Sequence, residues 1–311
     1  MKKKIVFMGT PTFAKEILEH LLSFEELEII GVISQPDKKM SRKKKIVYSP
    51  VKESALKYQC PLFQPRQIKD FVDEMKALNP DAIITCAYGQ FLPQAILDFL
   101  VINVHASLLP QYRGGAPMQH AIINNEQETG ISLMKSVLKM DAGPVYSQSR
   151  VKIDIEDTLS SLELKLIEAA KELLSKDLLA ILEGKLEAQA QDEEQVSFAK
   201  TISSNDEFVD FNRDNLEVYN HLRALIEVPS GYNYINGKRI KFNQVKLGRD
   251  SIDLPSSMML FQSPELLEIT TLNGTIEILE CQLEGKQRQR VEQLYNGYHH
   301  SFNNRRLNDE N

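Results

Sequence analysis

A chain of 311 residues, 42% hydrophobic and 26% charged, carries enough apolar material for a real core in one large domain or two ordinary ones. Its formal net charge of −6 excludes the overall basic field that advertises nucleic acid, and Cys60, Cys86 and Cys281 are too few and too scattered for a disulfide or metal pattern. No apolar run approaches the roughly 20 residues that span a bilayer.

After Lys2-Lys3-Lys4, the apolar run stops within five residues at Gly9 and Pro11, so a first strand over 4–8 is expected there, not a signal segment. A helix over 12–23 and a second strand over 28–34 follow, and this β-α-β order predicts a parallel pair with a right-handed crossover. The turn Gly9-Thr10-Pro11 is no GxGxxG, so a dinucleotide site has no motif behind it. Six of the eight residues from Lys38 to Lys45 are Lys or Arg. A charge run is usually a solvated loop, but this one follows strand two and so emerges at the edge where such sheets bind ligands. Helices over 50–59 and 68–78 and strands over 61–63 and 81–87 continue the alternation, and Tyr88-Gly89-Gln90-Phe91-Leu92-Pro93 turns the chain after the last of these.

The apolar run Phe99-Leu100-Val101-Ile102 leads into Asn103-Val104-His105. Positions i and i+2 of a strand share a face, so Ile102 and Val104 can bury while Asn103 and His105 emerge together at its carboxyl end. Beyond a helix up to about residue 124 and a strand over 130–137, Asp141 lies in a Gly/Pro-bounded loop that can fold back towards His105. An amide donor, an imidazole and a carboxylate converging there suit acyl transfer. A further strand over 144–153 connects so shortly that an antiparallel pair is expected. Asp157-Thr158 caps a long helix whose stripe of Leu162, Leu166, Ala169, Leu173, Leu178 and Ile181 reads as core.

Asn103, His105, the run Ser107-Leu108-Leu109-Pro110 and the later Asp141 together resemble the signature of the folate-dependent formyltransferases. The extended form, SLLPQYRGGAPMQHAI, then ETGIS, then MDAGPVY, looks most like the members that act on initiator methionyl-tRNA in translation initiation. The resemblance implies an α/β fold, a Rossmann-like, mostly parallel sheet followed by a small C-terminal β-barrel of OB-like form. It implies Asn103, His105 and Asp141 as catalytic residues and Ser107, Leu108, Leu109 and Pro110 as a wall of the 10-formyltetrahydrofolate site, with no metal. It also implies a tRNA-contacting loop in which Arg42 matches the key arginine, with Lys43 and Lys44 beside it. This loop departs from the family at Ser41, Lys43 and Tyr48. A cytoplasmic monomer with no membrane partner is expected. A sugar-nucleotide N-formyltransferase is the alternative within the same chemistry, and a non-catalytic tRNA-binding scaffold the alternative outside it.

The chemistry asks for two things: a donor for charge on the formyl oxygen and a route for the proton the amine loses. Asn103 suits the first, and His105 either donates as well or moves protons. Asp141 orients His105 and stabilises its cation, or accepts the proton through water.

The polar stretch from 184 turns into strand-like patterning beyond 208. The expected division is a catalytic domain over 1–188, a linker over 189–207 and a tRNA-binding barrel over 208–311. Asn236-Gly237 and Asn273-Gly274 each mark a hairpin. Residues 205–311 hold 12 Lys and Arg against 16 Asp and Glu, a net of −4, so a local patch such as Lys238, Arg239 and Lys241 must serve any tRNA contact there.

Overall fold

The computed structural model describes residues 1–39, 46–226 and 229–308. Arg42, Lys43 and Lys44, the expected tRNA contacts, lie outside the described residues.

Seven strands form the first sheet: β1 (Lys3–Gly9), β2 (Leu27–Ile33), β3 (Leu62–Phe63), β4 (Ala82–Cys86), β5 (Val101–His105), β6 (Glu128–Lys135) and β7 (Val145–Lys152). Their order across the sheet is β7-β6-β5-β4-β1-β2-β3. From β3 to β5 every pairing is parallel, and β6 and β7 add an antiparallel edge. The expected parallel sheet and antiparallel pair are both present. Strands β1 and β4 are wholly buried over Ile5–Met8 and 82–86, as sheets covered on both faces require.

Helix α1 (Thr12–Leu21) crosses from β1 to β2 and buries Phe13, Ala14, Ile17, Leu18 and Leu21, a stripe at helical spacing. At α2 (Pro50–Lys57) Ser49 caps the amino end, its hydroxyl accepting from Lys52 N at 3.1 Å, with Pro50 at the first helical position. The stem of the basic loop is well anchored. Lys52 Nζ reaches Asp37 Oδ2 at 2.6 Å, holding that carboxyl below its usual range, and a two-residue antiparallel ladder pairs Lys38–Lys39 with Ile46–Val47. Where a helix over 68–78 was expected, a 3-10 turn (Ile68–Phe71) precedes a short helix (Val72–Leu78), the break falling at Phe71 with φ −111 and ψ 13, while Gln90 Oε1 accepts from the first N–H, Ile68 N, at 2.8 Å.

The chain divides into two compact units. The first comprises Met1–Pro117, Glu128–Lys152 and Glu163–Lys200; the second comprises Met118–Gln127, Ile153–Leu162 and Thr201–Asn311. Within the second unit, β8 (Tyr232–Ile235), β9 (Lys238–Leu247), β10 (Met258–Ser263), β11 (Leu266–Thr270) and β12 (Thr275–Leu283) make a nearly closed antiparallel barrel. Both Asn-Gly signals hold. Asn236 and Gly237 take φ +47 and +70 between β8 and β9, the two left-handed residues a tight hairpin turn needs, and Asn273-Gly274 lies between β11 and β12. Phe211, Phe242, Ile269, Ile278 and Leu294 are among the buried residues that fill this core.

Candidate active site

Strand β5 delivers Asn103 and His105 to the carboxyl end of the sheet, as period-two geometry requires. Thr85, paired with Asn103 across β4 and β5, donates its hydroxyl to Asn103 Oδ1 at 2.9 Å. With its oxygen taken, the carboxamide has its N–H donors left for a ligand.

His105 is buried, and its Nε2 lies 3.0 Å from the main-chain oxygen of Tyr112. A carbonyl can only accept, so the hydrogen of the neutral ring sits on Nε2 and Nδ1 presents its lone pair. Asp141 Oδ2 lies 3.9 Å from that Nδ1, within ion-pair reach of a protonated ring. The same Oδ2 accepts from Gly114 N at 2.9 Å, and Asp141 itself takes a left-handed φ of +49. The structure therefore brings Asn103, His105 and Asp141 to one edge.

Ser107, Leu108, Leu109 and Pro110 form the turn after β5, with Leu109-Pro110 cis. Ser132, wholly buried on β6 opposite His105, organises this turn. Its hydroxyl donates to Ser107 O at 2.6 Å and accepts from Leu109 N at 3.0 Å and Gln148 Nε2 at 2.8 Å, while Gln148 also reaches Leu109 O at 2.9 Å. The turns after β1, β2 and β4 are tied in turn. Gln35 Nε2 donates to Tyr88 O at 3.0 Å, and Gln90 Nε2 to Gln35 Oε1 at 3.2 Å. Gly89 takes φ +84 in the last of them. Tyr88 packs into the core, and burial pushes its phenol up to about 12. Phe91 is instead 76% exposed, at a groove of about 540 Å³ lined also by Arg66, Lys69 and Leu92.

Behind Asp141 lies a network that sequence patterning does not announce. Arg113, with no exposure at all, sends Nε and Nη2 to Gln191 Oε1 at 3.0 and 2.8 Å, and Nη2 to Glu193 Oε1 at 2.9 Å. Arg113, and after it Lys139, holds the Glu193 carboxyl down at about 2. Phe198–Ala199 adds a short parallel ladder to Arg113–Gly114. The stretch expected to link two domains thus lines this site as far as residue 199. Thr85 and Ser132 had a signal, since a hydroxyl inside a buried strand needs a partner. Gln191 had none, being one polar residue among many.

A sheet with its switch of strand order, carrying an amide, an imidazole and a carboxylate together at its carboxyl edge, is an arrangement suited to a group-transfer enzyme. A profile described as formyl transferase matches residues 2–178, and one described as formyl transferase, C-terminal domain, matches 201–299. The chain belongs to the formyl transferase family. Among curated relatives it is similar to the methionyl-tRNA formyltransferases. That of Malacoplasma penetrans (strain HF-2) is 42% identical over 299 residues, 95% of this chain and 93% of the relative. Those of Ureaplasma parvum serovar 3 and Lactococcus lactis subsp. cremoris are 39% and 36% identical, covering 96% and 95% of this chain and 98% and 95% of their own. Two solved structures share the fold. HypX from Aquifex aeolicus, in complex with tetrahydrofolic acid, matches at TM-score 0.67 and 14% identity over 98% of this chain and 49% of its own. WlaRD, a sugar 3N-formyl transferase crystallised with dTDP and 5-N-formyl-THF, matches at TM-score 0.66 and 21% identity over 92% of this chain and 100% of its own.

Proposed function

We infer that this chain transfers a formyl group from 10-formyltetrahydrofolate to the α-amino group of initiator methionyl-tRNA, through Asn103, His105 and Asp141. Formylation of methionyl-tRNA for translation initiation is the activity, and the chain is a transferase of the family its relatives represent. The observation that carries the residue assignment is the state of His105. Tyr112 O occupies Nε2, and Asp141 faces the free Nδ1 at 3.9 Å.

The folate supplies the formyl group. As the amine nitrogen bonds to the formyl carbon, charge gathers on the formyl oxygen, and Asn103 donates to it from the carboxamide end that Thr85 leaves free. His105 Nδ1 takes the proton that the amine must lose, and Asp141 stabilises the resulting imidazolium. The bond between the formyl carbon and the folate nitrogen then breaks, and His105 is placed to return the proton to that nitrogen. Ser107 to Pro110, braced by Ser132 and Gln148, form a wall of the folate site by shape and main-chain contacts. Arg42, Lys43 and Lys44 contact tRNA phosphates in this reading, with cytoplasmic charged tRNA as the partner.

The test is formylation of methionyl initiator tRNA by the purified chain, with a UDP-amino sugar as control acceptor. His105→Ala and Asp141→Ala should each lower kcat by on the order of 100-fold or more with the fold intact, because both act on the proton and charge of the transition state. Near-parental turnover in either variant removes that residue from the mechanism. Formylation of the sugar alone transfers the chain to the sugar-nucleotide class, and tRNA binding without turnover marks a non-catalytic scaffold.

A further inference from the structure

Arg113 is a full positive charge with no exposure, an arrangement that depends on its charge being paired and hydrogen-bonded within the fold. Its Nη1 meets no acceptor among the described residues, so Gln191 Oε1 and Glu193 Oε1 hold the whole guanidinium. A carboxamide whose oxygen takes two charged donors has no freedom to flip, and its NH2 points the opposite way. There it donates to Asp141 O at 2.8 Å and to Gly143 O at 2.7 Å. Gln191 therefore uses all its hydrogen-bonding capacity to join a buried cation to the two carbonyls that bracket Ala142.

Those carbonyls belong to a loop that does not hold its shape by local preference. Asp141 sits at φ +49, a region that residues other than glycine occupy at a cost unless their surroundings impose it. On the other side Gly143 is pressed against β6, where an added Cβ would lie 1.7 Å from Lys135 O. Gly114, the residue after Arg113, grips the Asp141 carboxylate itself. The segment carrying Gln191 is fastened to the same turn, since Ser197 O accepts from Arg113 N at 2.9 Å and Ser197 Oγ from Tyr112 N at 2.9 Å.

We propose that Gln191 is a positioning residue for formyl transfer, setting the place of the Asp141 carboxylate beside His105 through its two bonds to the Asp141 loop. Arg113 orients Gln191, and residues 191–199 are part of the active site's frame. The proposal rests on the role of Asp141 argued above.

Two substitutions test it. Gln191→Glu keeps an oxygen for Arg113 and replaces both donors by an oxygen facing two carbonyls, whereas Gln191→Met keeps only the length of the side chain. Each is expected to lower kcat by about 10- to 100-fold through displacement of Asp141, with KM for the folate and for charged tRNA within about twofold. Turnover is counted per folded protein, because a smaller folded fraction also lowers apparent kcat at unchanged KM. In an Asp141→Asn background, Gln191→Glu should lower kcat by no more than about twofold further, because the carboxylate it places is already gone. Parental kcat in folded Gln191→Glu overturns the proposal, as does an equal loss in both backgrounds. If Gln191→Glu fails to fold by circular dichroism, Gln191→Met is read by the same criteria. Full activity in Asp141→Asn overturns both the role of Asp141 and this inference. An inactive Asp141→Asn with fully active Gln191 variants overturns the positioning alone.

Discussion

Tyr112 takes φ +59, and its carbonyl settles which nitrogen of His105 carries hydrogen and which can accept a proton. Main chain thus decides the chemistry of a side chain, with Thr85 doing the same for Asn103 through a hydroxyl. Tyr88 shows the opposite case, a buried phenol with no hydrogen-bond partner among the described residues. Burial raises it to about 12 from an ordinary value near 10. The folded state therefore favours the neutral phenol. This term is fully present below about pH 10 and is lost as pH rises through about 12. Tyr88→Phe should flatten the alkaline fall in stability over that window. At pH 8 it should leave stability equal, or higher by up to about 1 kcal/mol, since an unpaired buried hydroxyl is removed. Urea midpoints of both proteins at pH 8 and 11 check this, and a substantial loss at pH 8 would mean that the hydroxyl has a partner in solution.

Two elements shape the site without touching the reacting atoms. The antiparallel edge formed by β6 and β7 carries Ser132 and Gln148 beneath the turn 106–112, so the least Rossmann-like part of the sheet builds the proposed folate wall. Ser132→Ala removes a donor to Ser107 O and the acceptor for Leu109 N and Gln148 Nε2. It should lower stability by about 1–3 kcal/mol, the range for stranding buried polar groups, and raise KM for the folate more than KM for tRNA. Thermal unfolding and the two KM values test this, and unchanged folate KM would separate the turn from the folate site. The second element is the segment 191–199, which reads as polar connector, turns once in a 3-10 helix at Glu193–Gln195 and pairs Phe198–Ala199 with Arg113–Gly114 as a short strand.

For the molecule as a whole, a net charge of −6 must be reconciled with a polyanionic partner. Among the described residues no helix is long and apolar enough to cross a membrane. Phosphate attraction therefore has to be local, and the densest source is the run from Lys38 to Lys45, whose stem is fastened by Lys52, Asp37 and Ser49. Replacing Arg42, Lys43 and Lys44 by Ala should remove the up to three phosphate contacts proposed for them, each worth roughly 0.7–0.9 in the slope of log K against log salt. KM for charged tRNA should rise at least tenfold and its salt dependence should flatten by about 2, with folate KM unchanged. An unchanged slope would assign the run to solvent.

The alternation of strand and helix, the two Asn-Gly hairpins and the placing of Asn103 and His105 two apart at the carboxyl end of one strand were all legible in the sequence. Each rests on a period of two or 3.6 residues or on a turn that a dipeptide encodes, so neighbours along the chain suffice to specify it. The resemblance carried by SLLP and MDAGPVY pointed to Asp141, but its left-handed backbone and its distance from His105 belong to the folded chain. Gln191 lies 78 positions from Arg113 and 50 from Asp141, and Ser132 lies 25 from Ser107. A hydrogen bond between residues so far apart leaves no periodic trace, because the intervening chain is free to vary while the contact stays. Tertiary structure alone decided the tautomer of His105, the bracing of the turn after β5, and that the polar stretch 191–199 packs along Arg113–Gly114 within the first unit.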